Sequence, residues 1–216
     1  MKVIRFIISH SLTKKYIMAL TGLFLITFLV VHLIGNLLLV IDTTGAKFNE
    51  YSSELKSSLF IQITEFILIF GFLFHVTDAA ILYIKNKSAR PVKYHVLKQG
   101  ENIKLSSNFM YITGILILLF LFLHLYQFLF LGRILKSEIL MHELVINAFK
   151  NPIYLFIYLI WLIFLFLHLK HAFQSAFQSL GLYHKKYTNI IKNIGSIYSF
   201  IVPAGFAFIS IYLYLN

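Results

Sequence analysis

The stretch MALTGLFLITFLVVHL (residues 18–33) returns 92 residues later as MYITGILILLFLFLHL (residues 110–125), with a Thr-Gly step ten residues ahead of a histidine in both copies. Each copy lies in an apolar run long enough to cross a bilayer core of about 30 Å, which takes about 20 residues of helix. A histidine inside such a run is expensive at membrane depth and reads by default as a functional residue. The composition around the repeat agrees. Of 216 residues, 59% are hydrophobic, 17% aromatic and 12% charged, whereas a soluble domain carries about 25% charge. Disorder is excluded by the same hydrophobicity. The absence of cysteine removes disulfides, thiolate iron–sulfur clusters, zinc–thiolate sites and covalently attached c-type haem.

The expected fold is an all-α polytopic membrane protein, one domain over 1–216. Its five spans are expected at about 16–41, 59–84, 109–131, 153–180 and 194–215. Asn151-Pro152 is a clean start for the fourth span, and Gly181 is its expected C-terminal cap. The segments between spans read as short and polar. The N-terminal run has Lys and Arg ahead of apolar residues, as a signal peptide does. Its apolar part is too long and no small-residue cleavage site follows, so it reads as the first span.

A formal net charge of +11 suggests nucleic acid until its distribution is followed. Lys2, Arg5, Lys14 and Lys15 precede the first span. Lys85, Lys87, Arg90, Lys93, Lys98 and Lys104 follow the second, against Glu101 alone, and the region 170–192 at the end of the fourth adds Lys170, Lys185, Lys186 and Lys192. The alternate loops carry Lys47, Lys56, Arg133, Lys136 and Lys150, balanced by acids. This asymmetry places the N-terminus in the cytoplasm and the C-terminus outside. The positive charge is a topology signal and implies no nucleic-acid partner.

Four histidines lie within apolar helix, one in each of the first four spans: His32, His75, His124 and His168. At 1.5 Å per residue, His32 and His124 are about 22–24 Å from the cytoplasmic ends of outward-running spans. His75 and His168 are equally far, about 22–24 Å, from the outer ends of inward-running spans. They therefore sort into an outer pair, His32 with His124, and an inner pair, His75 with His168. FLFHV (72–76) and LFLHL (165–169) echo each other around the inner pair. Gly22 and Gly114 remove side chains where a flat group or a neighbouring helix can approach. Two histidines from different helices at one level suit a non-covalent haem with both axial positions filled, which passes electrons. Zinc or copper would want a third or fourth ligand, and the apolar stretches offer none.

These residues resemble the single-chain, five-span di-haem cytochrome b anchor of succinate dehydrogenases and fumarate reductases. The resemblance covers nearly the whole chain and is sharpest in MALTGLFLITFLVVHLIGN (18–36), ARPVKY (89–94) and HLKHAFQSAFQSLGLYHKKY (168–187). Ala79 and Ala172 depart from it, standing where similar sequences often have Gly. The family implies a four-helix haem-binding core plus a fifth helix, and two b haems on His32, His75, His124 and His168. It also implies an FAD-containing flavoprotein and an iron–sulfur subunit on the cytoplasmic face. Menaquinone or ubiquinone is the implied electron partner, within a respiratory complex II of a bacterial cytoplasmic membrane. The chain has no flavin or dinucleotide motif, so succinate is expected to bind elsewhere in the complex.

Other polar residues extend this reading. Asn36 and Gln127 lie one turn outward of His32 and His124, and Glu65 lies about 15 Å outward of His75. They are candidates for a quinone pocket, with Glu65 exchanging protons, or for interhelical hydrogen bonds. Asp78 and Lys170 are expected to pair beyond the inner ligands, or Lys170, His171 and Ser175 to hold haem propionates. His10, His95, His142 and His184 are expected to be solvated loop residues. Two other functions stay open: a cytochrome b anchor of a hydrogenase or formate dehydrogenase, and a haem-free transporter whose histidines relay protons.

Overall fold

The computed structural model describes residues 11–88, 103–135, 139–182, 184 and 186–216. Lys2, Arg5, His10, Arg90, Lys93, His95, Lys98, Glu101, Lys136, Lys185 and the ARPVKY segment lie outside the described residues. Among those described, all regular structure is helical: α1 (Ser11–Ile41), α2 (Ala46–Ser57), α3 (Leu59–Ser88) and α4 (Ile103–His124), which continues as the π-helical π1 (Leu125–Leu135). Then follow α5 (Met141–Phe149), α6 (Pro152–Ser179) and α7 (Thr188–Leu215). Helices dominate because hydrocarbon offers a backbone no hydrogen-bonding partner, so each N–H must be satisfied within its own segment. Threonine is tolerated in these spans by the same device. Thr27 and Thr64 turn their hydroxyls back onto the carbonyls of Leu23 and Phe60 at 3.0 and 2.9 Å.

Five of the helices are long and apolar enough to cross a membrane: Leu12–Ile41, Leu59–Ser88, Met110–Gly132, Pro152–Ser179 and Thr188–Leu215. The last begins six residues before the expected position, because the polar turn Thr188–Lys192 continues the helix instead of linking to it. Their outer faces are apolar and open. Phe66, Phe70 and Phe74 form one exposed line along α3, a surface suited to lipid rather than water.

The fourth span starts and stops as expected. Asn151 Oδ1 accepts from the backbone N–H groups of Ile153 and Tyr154 at 2.9 and 3.3 Å, and Pro152 needs no donor there. At the other end Gly181 takes φ +75°, while Leu182 N–H bonds the Phe177 carbonyl at 3.0 Å. This is the left-handed stop that glycine permits.

The two loops at the far end of α1 are not the simple polar connections expected. They fold as α2 and α5, and Phe48, Val145 and Phe149 join Leu39, Leu155, Tyr158, Ile209 and Leu213 in a buried cluster over that end of the bundle. His142 belongs to this lid and is buried rather than solvated, since α5 is amphipathic and turns it inward. Its backbone N–H donates to Asn49 Oδ1 at 3.0 Å, and its ring packs on Gly45, whose φ of +75° suits glycine alone. His184 is exposed, as expected. Opposite the lid, Ile26, Leu169 and Phe173 form a second cluster. The fifth span, α7, packs on α6 and α1, and Tyr198 donates to the Ile26 carbonyl at 2.7 Å.

Candidate functional site: two levels of paired histidines

The four intramembrane histidines occupy two levels, called inner and outer after the orientation expected from the charges. At the outer level the rings of His32 and His124 face edge to face-plane, with centroids 5.8 Å apart and planes at 84°. Each leans on the phenylalanine one turn earlier: Phe28 stacks on His32 at 5.3 Å, and Phe120 lies 5.7 Å from His124. Phe206 of α7 covers His32 at 5.6 Å, and Phe128 covers His124 at 5.2 Å.

At the inner level the repeat acquires a physical meaning. Thr21 Oγ1 lies 3.2 Å from His75 Nδ1, and Thr113 Oγ1 lies 3.3 Å from His168 Nδ1. Both hydroxyls donate their hydrogen to their own helix, Thr21 to the Ile17 carbonyl at 2.8 Å and Thr113 to the Met110 carbonyl at 3.0 Å. With its hydrogen on the helix carbonyl each threonine offers its histidine an acceptor, the arrangement in which the ring hydrogen sits on Nδ1 and the Nε2 lone pair is free. That is the orienting bond found behind metal-bound imidazoles. A Cβ at Gly22 would sit 3.4 Å from His75 Cε1, and one at Gly114 3.6 Å from His168 Cε1. These are ordinary contacts, so the imidazoles alone do not demand glycine, and the two glycines leave spare room beside the rings.

Each repeat unit thus does two jobs. Its histidine serves the outer level, and its Thr-Gly step, about 15 Å away along the helix, cradles an inner histidine on the following span. Sequence reasoning found the glycines but missed Thr21 and Thr113. Their presence in both copies of the repeat was the available signal.

The residues present fit the haems that the resemblance implies. Among the described residues no three His, Asp or Glu side chains gather, and at the outer level two imidazoles face each other. Two imidazoles sharing one metal through Nε2 bonds of about 2 Å place their ring centroids about 6 Å apart, close to the separation seen for His32 and His124. Among the described residues two buried polar atoms are left without a hydrogen-bond partner, Trp161 Nε1 and Asp78 Oδ2. Trp161 packs 5.5 Å from Phe120, one turn from the outer pair toward the inner, where an added acceptor would satisfy it.

The outlying polar residues separate. Asp78 is buried and pairs with Lys14 of α1 at 3.8 Å, not with Lys170. The latter is exposed on α6 with its Nζ 5.7 Å from the Phe166 ring centroid, because α1 rather than α6 is the helix packed nearest the Asp78 carboxylate. His171 and Ser175 are half-buried on α6. Asn36 Nδ2 donates to the His32 carbonyl at 2.8 Å. Glu65 is half-buried on α3.

Gln127 lines a cavity of about 300 Å³ with Asn147, Asn151, Tyr154, Ile139, Leu144 and Ala148. It opens where π1, α5 and α6 meet, and neither Glu65 nor Asn36 lines it. From its wall a line of hydroxyls leads inward: Tyr154 and Tyr158 lie 3.1 Å apart, and Tyr158 lies 3.1 Å from His124 Nδ1. Neither tyrosine was singled out in the sequence. Tyr158 stands ten residues before His168 as Glu65 stands ten before His75, and that correspondence was the signal.

Comparison with protein-family models, curated proteins and solved structures finds no match to this chain. The reading of the site rests on its own geometry.

Proposed function

We propose that the chain is a membrane-anchor cytochrome b that carries electrons between the iron–sulfur subunit of a succinate:quinone oxidoreductase and the membrane quinone pool. The observation that carries this reading is the facing pair His32 and His124, with a second pair of oriented histidines about 15 Å below it. His32 and His124 would hold the outer haem, and His75 and His168 the inner one. Held by these imidazoles, b haems would supply one-electron transfer.

The chain's own residues do the rest. Thr21 and Thr113 hold the inner imidazoles in the ligating tautomer, while Phe28, Phe120, Phe128 and Phe206 keep water from the outer pair. Gln127 lies in a cavity of a size fit for a small ligand, since ligand clefts begin at about 300 Å³. Quinone reduction takes up protons, and Glu65 is the acidic residue within a span on the outer side. Lys14 and Asp78 form an ion pair near the inner level, on the side where the flavoprotein and iron–sulfur subunits would dock.

The test is to purify the complex from its native membrane, identify the co-purifying subunits, and add succinate. Reduction of b-type haem by succinate, relayed to added quinone, is expected. Haem reduced by hydrogen or formate instead would make the chain the anchor of another dehydrogenase. A haem-free preparation would favour a transporter.

A further inference from the structure

The cavity beside Gln127 and the imidazole of His124 are joined by two hydroxyls, and the direction in which those hydroxyls point is decided by what His124 holds. A tyrosine hydroxyl donates one hydrogen and accepts others, and a neutral imidazole has one donor and one acceptor nitrogen. A line of Tyr154, Tyr158 and His124 Nδ1 therefore has two polarities. When Nδ1 accepts, Tyr154 donates to Tyr158 and Tyr158 to His124, and the cavity meets only the oxygen of Tyr154. When Nε2 binds a metal, Nδ1 must carry the hydrogen. His124 then donates to Tyr158, Tyr158 donates to Tyr154, and the hydrogen of Tyr154 is released toward the cavity it lines.

We propose that Tyr154 is the hydrogen-bond donor to a carbonyl of a quinone-type ligand in the cavity formed by Gln127, Asn147 and Asn151, and that Tyr158 links this ligand to His124. This rests on the reading of His124 as an axial ligand. The cavity wall agrees with a carbonyl-bearing occupant. Asn151 Oδ1 is committed to the first turn of α6, which leaves its amide hydrogens available, and Gln127 and Asn147 bring further amides. The link works by rotation of two neutral hydroxyls, with no proton leaving either tyrosine. It is also reciprocal: a carbonyl on Tyr154 favours the polarity in which Nδ1 donates, and a ligating His124 favours the carbonyl.

In the other half of the molecule Glu65 stands where Tyr158 does. Tyr158 is thus a positioning residue that couples the cavity to His124.

The experiment uses the purified complex and 2-heptyl-4-hydroxyquinoline N-oxide, a redox-inert quinone mimic with an acceptor oxygen. Binding is read by fluorescence quenching, and haem content and the outer haem's low-spin EPR signal are recorded beside it. Tyr154→Phe is expected to keep both haems and weaken the probe about tenfold, the size of one hydrogen bond. Tyr158→Phe, which does not line the cavity, is expected to weaken the probe and also move the outer haem's EPR signal. Gln127→Leu is the second variant: it should weaken the probe without moving that signal. Unchanged affinity in Tyr154→Phe, with haem present in the wild type, would overturn the proposal and leave the proposed function standing. Weakening in Tyr154→Phe alone would overturn the link to His124. A wild-type complex without haem would overturn both readings.

Discussion

The inner and outer histidine levels are built from the same repeat and differ in what stands behind the rings. At the inner level the halves of the molecule agree: Thr21 serves His75 as Thr113 serves His168, and Gly22 matches Gly114. At the outer level they part. His124 has a line of tyrosines that ends at a cavity, whereas His32 has α7 packed over it through Phe206, and Glu65 replaces Tyr158 in the register. A symmetric arrangement suits a group that only has to be held at a fixed potential. Asymmetry is what a level needs where electrons meet a diffusing substrate and protons must arrive from one side.

The largest effect expected is from removing a ligand. His75→Ala and His168→Ala should each abolish the inner haem, and His32→Ala and His124→Ala the outer one, read as separate features in low-temperature difference spectra. Loss of one common haem from His75→Ala and His124→Ala would break the division into levels. Next come the orienting threonines. Thr21→Val and Thr113→Val each take an acceptor from an inner imidazole, and bonds of this kind are worth about 10–100-fold in metal affinity. Their effects should be equal and confined to the inner haem. A large effect from one and none from the other would end the claim of inner symmetry.

Glu65→Gln sharpens the outer half of the comparison. It should keep both haems and subunit assembly while slowing quinone-linked turnover about a hundredfold, the low end of what a lost acid–base group costs. Unchanged quinone turnover would move the proton path away from α3.

The smallest effect lies at the lid. The Asp42 carboxylate accepts from the Lys47 N–H at 2.8 Å and from the Thr44 hydroxyl at 2.6 Å, and these bonds hold its pKa below the usual carboxylate range. A depressed folded value means stability present above the unfolded pKa of about 3.9 and lost as pH falls through the folded one. The start of α2 should therefore exchange its amides faster only in acid below that range, and Asp42→Asn should lessen the pH dependence. Acid-independent exchange there would contradict the capping role.

Much of this architecture is written along the chain, because hydrocarbon forces helices and charges fix where they end. The four intramembrane histidines stood out as ionisable groups where such groups are costly, and two of the quinone-level candidates, Gln127 and Glu65, stood out likewise. What escaped was polar chemistry hidden in ordinary-looking residues. Thr21 and Thr113 counted only as the first half of the repeat's Thr-Gly step, and Tyr154 and Tyr158 as two of 13 tyrosines, until packing set the threonines and Tyr158 against ring nitrogens. The lid was missed because α2 and α5 are short and half polar, and only their burial of Phe48 and Phe149 against α6 and α7 makes them part of the core. Asp78 was matched to the wrong lysine because a shared depth in the membrane does not say which helices are neighbours.

The central claim, two levels each holding one haem between two imidazoles, is tested most directly by haem quantitation on the purified chain, with the protein concentration fixed by amino-acid analysis. Two non-covalent b haems per chain, both low-spin in the EPR spectrum, are the expected result. No haem, or a single haem per chain in a fully loaded preparation, would contradict it.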